Sequence, residues 1–211
     1  MIGRGTTCTA ALALAGVMLA TGCGRPAPEP WPHETDVSDH ELPAGDPILD
    51  DASIFDLDIP LVDQHGDRWR LGDLGGRPMI AAMIYTSCTA VCLRITDELR
   101  LIERQLGDRS DVQFVLFSLD PGRDTPEAMN TFARARGLDP ERWRLLAASE
   151  DDVRSLAAVL GVRYQPLPDG EIAHSALVFV IDADGVVRHR QVGVRQDPRE
   201  LVGALGRVSG S

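Results

Sequence analysis

Lysine is absent from this sequence of 211 residues, and all 21 of its basic side chains are arginine. The absence is a compositional bias and carries no mechanistic information. Positive charge is also scarce: 32 aspartates and glutamates leave a formal net charge of −11 at pH 7, which argues against nucleic acid as a partner. The acidity is uneven, since Gly24 to Asp58 holds ten acidic residues and one arginine whereas Ile59 to Ser211 holds 22 and 19. Cysteine is sparse as well, with four in the chain, too few for a disulfide framework once the leader is considered. The apolar run near the start, about Thr9 to Ala20, falls short of the roughly 20 residues a membrane-spanning helix needs. Internal repeats are lacking too.

What the first residues do contain is a positive start at Arg4, that apolar run, and then Ala20-Thr21-Gly22-Cys23. This layout predicts a secretory signal peptide over residues 1–22. Its ending resembles a bacterial lipoprotein signal, which implies lipidation of Cys23 and a mature chain beginning there. Plain secretory cleavage nearby, or an uncleaved anchor, are the alternatives. The protein is therefore expected in the bacterial cell envelope, anchored to a membrane and facing the periplasm or another extracytoplasmic side. Cys8 leaves with the leader and Cys23 is taken by lipid, so Cys88 and Cys92 remain as thiols in an oxidising space. Acting as thiolates, they need a thiol reductant or a bound ligand that protects them.

Residues 23–51 are rich in Pro, Asp and Glu and predict a flexible tether. His33 and His40 within it are read as solvated. Residues 52–211 suit one domain. Phe55 to Val62 and Trp69 to Leu71 flank the turn-rich Asp63-Gln-His-Gly-Asp and predict a β-hairpin with His65 in its turn. Met79 to Tyr85 reads as a buried parallel strand, Arg94 to Gln105 as a helix, and Val112 to Leu119 as a strand. Thr125-Pro-Glu caps a helix to about Arg136. Leu145-Leu-Ala is a short strand, Ser149 starts a helix to about Leu160, and Ser175 to Ile181 is a strand. Asp182-Ala-Asp-Gly turns that strand into Val186 to Val192, and Pro198 to Val208 is a terminal helix. The order predicts an α/β domain with a central mixed sheet flanked by helices. It resembles the thioredoxin fold with an N-terminal β-hairpin extension, in which the cysteines lie at the end of the first central strand.

Chemistry concentrates at Cys88 and Cys92. They sit where that strand runs into a helix, whose unpaired amide donors and dipole favour thiolate, so both sulfurs are expected to ionise more readily than a free cysteine. Residues at i and i+4 share a helical face, with Cα atoms about 6 Å apart, compatible with a disulfide or with chelation of one ion. The spacing is one residue wider than the usual redox loop. His174 is expected in a loop before the strand Ser175 to Ile181, facing the cysteines. Two thiolates and an imidazole form a three-coordinate site suited to Cu(I), and a fourth ligand such as water accommodates Cu(II). His189, in an outer strand, is read as surface.

Taken in order, Cys88 and Cys92, then Ser118-Leu-Asp-Pro-Gly-Arg-Asp-Thr-Pro-Glu127, then His174 before an apolar strand ending Asp182-Ala-Asp-Gly185, make the domain resemble the Sco/SenC family of copper chaperones from about Ile54 to Leu205. The resemblance implies that Cys88, Cys92 and His174 are copper ligands. It also implies delivery of copper to the binuclear copper site of cytochrome c oxidase, through that enzyme's copper-site subunit or another exported cuproprotein, or reduction of its cysteines. Two positions depart from the family pattern, since Thr89 and Leu93 stand where proline usually follows each cysteine. The Asp120 to Glu127 stretch reads as a turn and helix cap, with Arg123 or Asp124 as alternative client contacts.

The competing reading is a thiol-disulfide reductase that keeps an exported client's cysteines reduced, in which Cys88 attacks and Cys92 resolves. A thiol peroxidase is disfavoured: relative to Cys88, that pattern calls for Pro and Thr where this chain has Ala81 and Tyr85.

Overall fold

A computed structural model of the chain describes residues 41–45, 52–107, 109 and 111–208. The leader at residues 1–22, Cys23, His33 and His40 lie outside the described residues, as does all of the 23–51 stretch except 41–45. Among the described residues, no helix is long and apolar enough to cross a membrane.

The core is a seven-stranded mixed sheet. Strands β1 (Pro60–Asp63) and β2 (Arg68–Arg70) form the leading hairpin, β3 (Met79–Ile84) feeds helix α1 (Val91–Leu106), and β4 (Gln113–Ser118) feeds α2 (Pro126–Ala135). After β5 (Trp143–Ala147) and α3 (Glu150–Leu160) come the short β6 (Tyr164–Pro166) and β7 (Ile172–His174). Strands β8 (Leu177–Ile181) and β9 (Val187–Val192) and helix α4 (Pro198–Val208) complete the chain. The spatial order is β2-β1-β5-β4-β3-β8-β9. Strand β4 runs parallel to both β3 and β5, while β1 and β8 join antiparallel. Every residue of β3, β4 and β8 is buried, as expected of strands covered on both faces. Their continuous apolar runs are what made them legible.

Local chemistry sets the element ends. Thr125 accepts the Ala128 amide at the start of α2, and Ser149 accepts the Asp152 amide at the start of α3, each satisfying a donor that the first helical turn leaves open. The hairpin is fastened to the sheet by Asp63, which is buried. Its Oδ1 accepts the His65 and Asp67 amides, and its Oδ2 accepts Trp69 Nε1 at 3.0 Å and Arg144 at 3.1 Å. The Arg144 guanidinium also lies 3.8 Å from the Trp69 ring centroid, so a buried charge is fully compensated.

Strands β6 and β7 form a separate two-stranded sheet. The sequence reading placed His174 in a loop, whereas it is the last residue of β7 and pairs with Tyr164. Three-residue strands carry too little alternation to be seen. Residues 41–45, within the stretch read as tether, run along the other edge of β7. The Leu42 amide donates to the His174 carbonyl at 3.1 Å, and the Gly45 amide donates to the Gly161 carbonyl at 2.9 Å.

At the end of the sheet remote from the β3–α1 junction, Gly185 turns β8 into β9 with φ +85°, and its carbonyl accepts the Ile54 amide. A Cβ there would overlap the Ser53 hydroxyl and the Phe55 ring. Gly185→Ala is therefore expected to cost about 2 kcal/mol or more, lowering Tm by roughly 4–8 °C. Thermal denaturation followed by circular dichroism checks this, and an unchanged Tm contradicts the tight turn.

Candidate metal centre

Strand β3 delivers the chain to a six-residue loop, 85–90, and α1 begins at Val91. Cys88 lies in that loop and Cys92 is the second residue of the helix. No side chain caps α1 through its N-cap residue, Ala90. Instead, the Cys92 amide donates to Cys88 Sγ at 3.4 Å, so the sulfur takes a position that a capping oxygen usually fills.

His174 closes the site from β7. Its Nε2 lies 3.2 Å from Cys92 Sγ, and its Nδ1 lies 3.1 Å from the Ser175 carbonyl oxygen. A carbonyl only accepts, so Nδ1 carries a hydrogen and Nε2 is the ring nitrogen that faces the sulfurs. The ligand atoms of Cys88, Cys92 and His174 all lie within 4.8 Å of one another. Cys88 is 5% exposed, and Cys92 and His174 are 0% exposed. The three residues singled out from sequence thus converge in one buried cluster.

Burial and mutual contact divide the two thiols. Cys88 is held well below the ordinary thiol range, first by a hydrogen bond from the Cys92 side chain and then by His174 and the Ala90 and Cys92 amides, all acting against desolvation. Burial pushes Cys92 up, and the neighbouring Cys88 thiolate pushes it further. The expectation that both sulfurs ionise easily is therefore corrected, because two adjacent buried anions repel and one proton stays on the pair. Cys88 is the thiolate and Cys92 the thiol.

Side chains that sequence reading had not assigned hold this arrangement. The Tyr85 hydroxyl accepts the Ile172 amide at 3.1 Å and donates to Glu171 Oε2 at 2.6 Å, tying the end of β3 to the strand of His174. Its ring meets the imidazole edge-on, with centroids 5.9 Å apart. Burial, then the Glu171 bond, raise the Tyr85 pKa, keeping it a phenol. Ser175 Oγ donates to the Pro43 carbonyl and accepts the Arg163 amide. The only available signal was adjacency, since Tyr85 is three residues before Cys88 and Ser175 directly follows His174.

Elsewhere, Arg123 is exposed and pairs with Asp120, whereas Asp124 is buried and faces inward. Burial holds Asp124 above the usual carboxylate range, against the pull of its Ser118 and Thr86 hydrogen bonds. His65 is exposed in its turn, and His189 is half-buried in β9, not on the open surface. Neither joins a metal-binding cluster among the described residues.

Two soft sulfurs and an imidazole nitrogen, with no carboxylate among them, fit copper better than a hard cation. The division of protons makes a prediction without metal. Alkylation of Cys88 is expected to change little between about pH 8 and pH 6, whereas an ordinary cysteine with a pKa of about 8.5 slows nearly tenfold per pH unit. Mass spectrometry of the reduced protein after timed labelling reads this directly. Ordinary pH dependence at both sites contradicts the assignment.

Comparison with known proteins bears on the family of the chain. The sequence profile of the SCO1/SenC family matches residues 50–209. A SCO1 protein homolog of Bacillus subtilis is 26% identical over 139 residues, covering 64% of this chain and 72% of the relative. The crystal structure of a SCO1/SenC family lipoprotein from Bacillus anthracis is 25% identical with a TM-score of 0.66, covering 71% of this chain and 92% of that one. The structure of Bradyrhizobium japonicum ScoI with copper bound is 27% identical with a TM-score of 0.61, covering 71% and 96%. With the family profile spanning most of the sequence and the fold in agreement, this chain belongs to the SCO1/SenC family.

Proposed function

We propose that the protein is a copper-binding chaperone of the bacterial cell envelope, which carries one copper ion as cargo on Cys88, Cys92 and His174. It would deliver that ion to the binuclear copper site of cytochrome c oxidase or to another exported cuproprotein. The observation that carries this reading is the buried convergence of three soft donor atoms within 4.8 Å. Cys88 supplies a ready anion, His174 supplies the imidazole Nε2 while its Nδ1 is held by the Ser175 carbonyl, and Cys92 becomes a second anionic ligand by losing its proton. Such a set stabilises Cu(I) in three-coordinate form. Lipidation at Cys23 would hold the domain at the membrane, with the stretch between Cys23 and the docked residues 41–45 as tether.

The test is copper stoichiometry and ligand spectroscopy on the reduced protein, with Cys88→Ser, Cys92→Ser and His174→Ala compared with the parent. About one copper per chain is expected, with sulfur or imidazole signals lost in the matching variant and affinity reduced at least tenfold. Calorimetry in buffers of different ionisation enthalpy should show about one proton released per Cu(I) at pH 7, from Cys92. A reduced parent that holds no copper overturns the reading.

The unequal thiols also favour a second activity, reduction of a client disulfide. The Cys88 thiolate attacks one client sulfur and expels the other as a thiolate. Cys92 gives up its proton to that leaving sulfur and attacks Cys88, breaking the mixed disulfide and leaving a Cys88–Cys92 disulfide and a reduced client with one thiol and one thiolate, which takes its second proton from water. Cys92→Ser should then trap a mixed disulfide through Cys88, and failure to trap any oxidised client peptide bearing a cysteine pair counts against it.

A further inference from the structure

The Ser118 to Glu127 stretch resembles its family and caps a helix, but neither role explains why Asp124 is buried. It is 2% exposed, and a carboxylate is costly to bury unless donors surround it. Thr125, the neighbouring residue, does the capping. The Asp124 side chain turns the other way, across the mouth of the sheet.

There it meets Thr86, the second residue of the loop that carries Cys88. Thr86 Oγ1 donates to Asp124 Oδ1 at 2.5 Å, and the Thr86 amide lies 3.1 Å from Oδ1 and 3.2 Å from Oδ2. Ser118 Oγ, at the end of β4, donates to Oδ2 at 2.6 Å and itself accepts the Asp120 amide at 2.9 Å. One carboxylate thus joins three places: the end of β4, the start of α2 and the loop after β3. The amide and hydroxyl of a single loop residue are both fixed.

Cys88 is two residues further on. Its backbone is fixed locally by the Cys88 amide donating to the Tyr85 carbonyl at 3.3 Å, while its sulfur meets groups within the site itself, namely Cys92, His174 and the Ala90 amide. The loop contains no proline, since Thr89 and Ala90 follow the cysteine, so its geometry needs an external anchor. Side chains that orient ligands without touching the ion commonly govern affinity.

We infer that Asp124 is a positioning residue for the metal centre, which pins Thr86 and thereby holds Cys88 Sγ against Cys92 and His174. This rests on the copper reading for its affinity readout, but its effect on the Cys88 thiol is independent of metal. The carboxylate acts through its acceptor geometry. An asparagine keeps an acceptor oxygen for both Thr86 donors and turns its amide toward Ser118 Oγ.

The experiment compares the full-length parent with Asp124→Ala, Asp124→Asn and Gly185→Ala, the last destabilising the far end of the sheet without touching the site. Two quantities are read well below every Tm: the rate of Cys88 alkylation in the metal-free reduced protein, and Cu(I) affinity by competition with a chromophoric chelator. Asp124→Ala is expected to speed alkylation about tenfold or more and to weaken copper by roughly 10–100-fold. Asp124→Asn should stay within about threefold of the parent on both, and Gly185→Ala should lower Tm with neither quantity changed. The proposal fails if Asp124→Ala matches Gly185→Ala in both readouts, which marks a purely structural role. It also fails if Asp124→Asn is as damaging as Asp124→Ala, which marks charge as the active property.

Where Asp124→Ala does not fold, Thr86→Val, which loses only the hydroxyl donor, decides. A rise in alkylation of about threefold or more supports the pin, and an unchanged rate overturns it. If the parent binds no copper, the chaperone reading falls and the alkylation series alone judges Asp124.

Discussion

Holding one negative sulfur inside the protein without water is the constraint around which this site is built. Cys88 is almost fully buried, where a bare anion is expensive. The Cys92 amide, at the start of α1, and the Cys92 thiol proton both point to it. The same arrangement keeps Cys92 protonated and places it beside His174 Nε2. In effect the two sulfurs share one proton, and that sharing offsets the cost of burying the charge. That economy requires all three groups to be held within a hydrogen bond's tolerance. The β3–α1 junction of the seven-stranded sheet supplies two of them, while the third arrives on a separate small sheet.

That separate origin explains what could be read from sequence. Strands β3, β4 and β8 announce themselves as unbroken apolar runs, and the caps Thr125 and Ser149 mark α2 and α3 within a residue of their observed starts. The cysteine pair and His174 were legible as residue types in a family-like order. What escaped were features made by distant pairing. Strand β7 exists because Tyr164 to Pro166 pairs on one side and residues 41–45 lie on the other, and neither partner is local. Thiol asymmetry was likewise invisible, since it arises from the mutual contact of Cys88 and Cys92 in their folded positions and from the deep burial of Cys92. Asp124 looked like part of a turn because its partner Thr86 lies 38 residues upstream.

The two departures from the family's proline pattern acquire physical meaning in this frame. Leu93 is the third residue of α1, where the amide has no intrahelical acceptor, so a proline there would sacrifice no helical hydrogen bond. Leucine costs the helix nothing, and its side chain packs against the core. Thr89 is different. It is exposed, directly after Cys88 and outside the helix, where proline would stiffen the backbone that carries the sulfur. With threonine, that rigidity must come from elsewhere, and the chain offers it through Thr86 and Asp124 on one side and through the Tyr85 hydroxyl on the other.

Burial of the centre also bears on how it can serve a client. With the ligands at 5% exposure or less, neither copper nor a client sulfur can be exchanged with the site as it stands, so transfer requires local opening. Strand β7 is clamped by residues 41–45, by Tyr85 and by Ser175, whereas the outer part of the cysteine loop, Ser87 to Ala90, has an exposed serine and threonine and few crosslinks. Elements with few buried contacts open first. Opening at this loop would bring out Cys88 while His174 and Cys92 keep their places. A copper ion would then be passed through a two-ligand stage, and a client disulfide would meet the thiolate first. Under the proposed function, copper delivery and thiol reduction would therefore draw on one motion and one sulfur, and the ligand present when the loop opens would select between them.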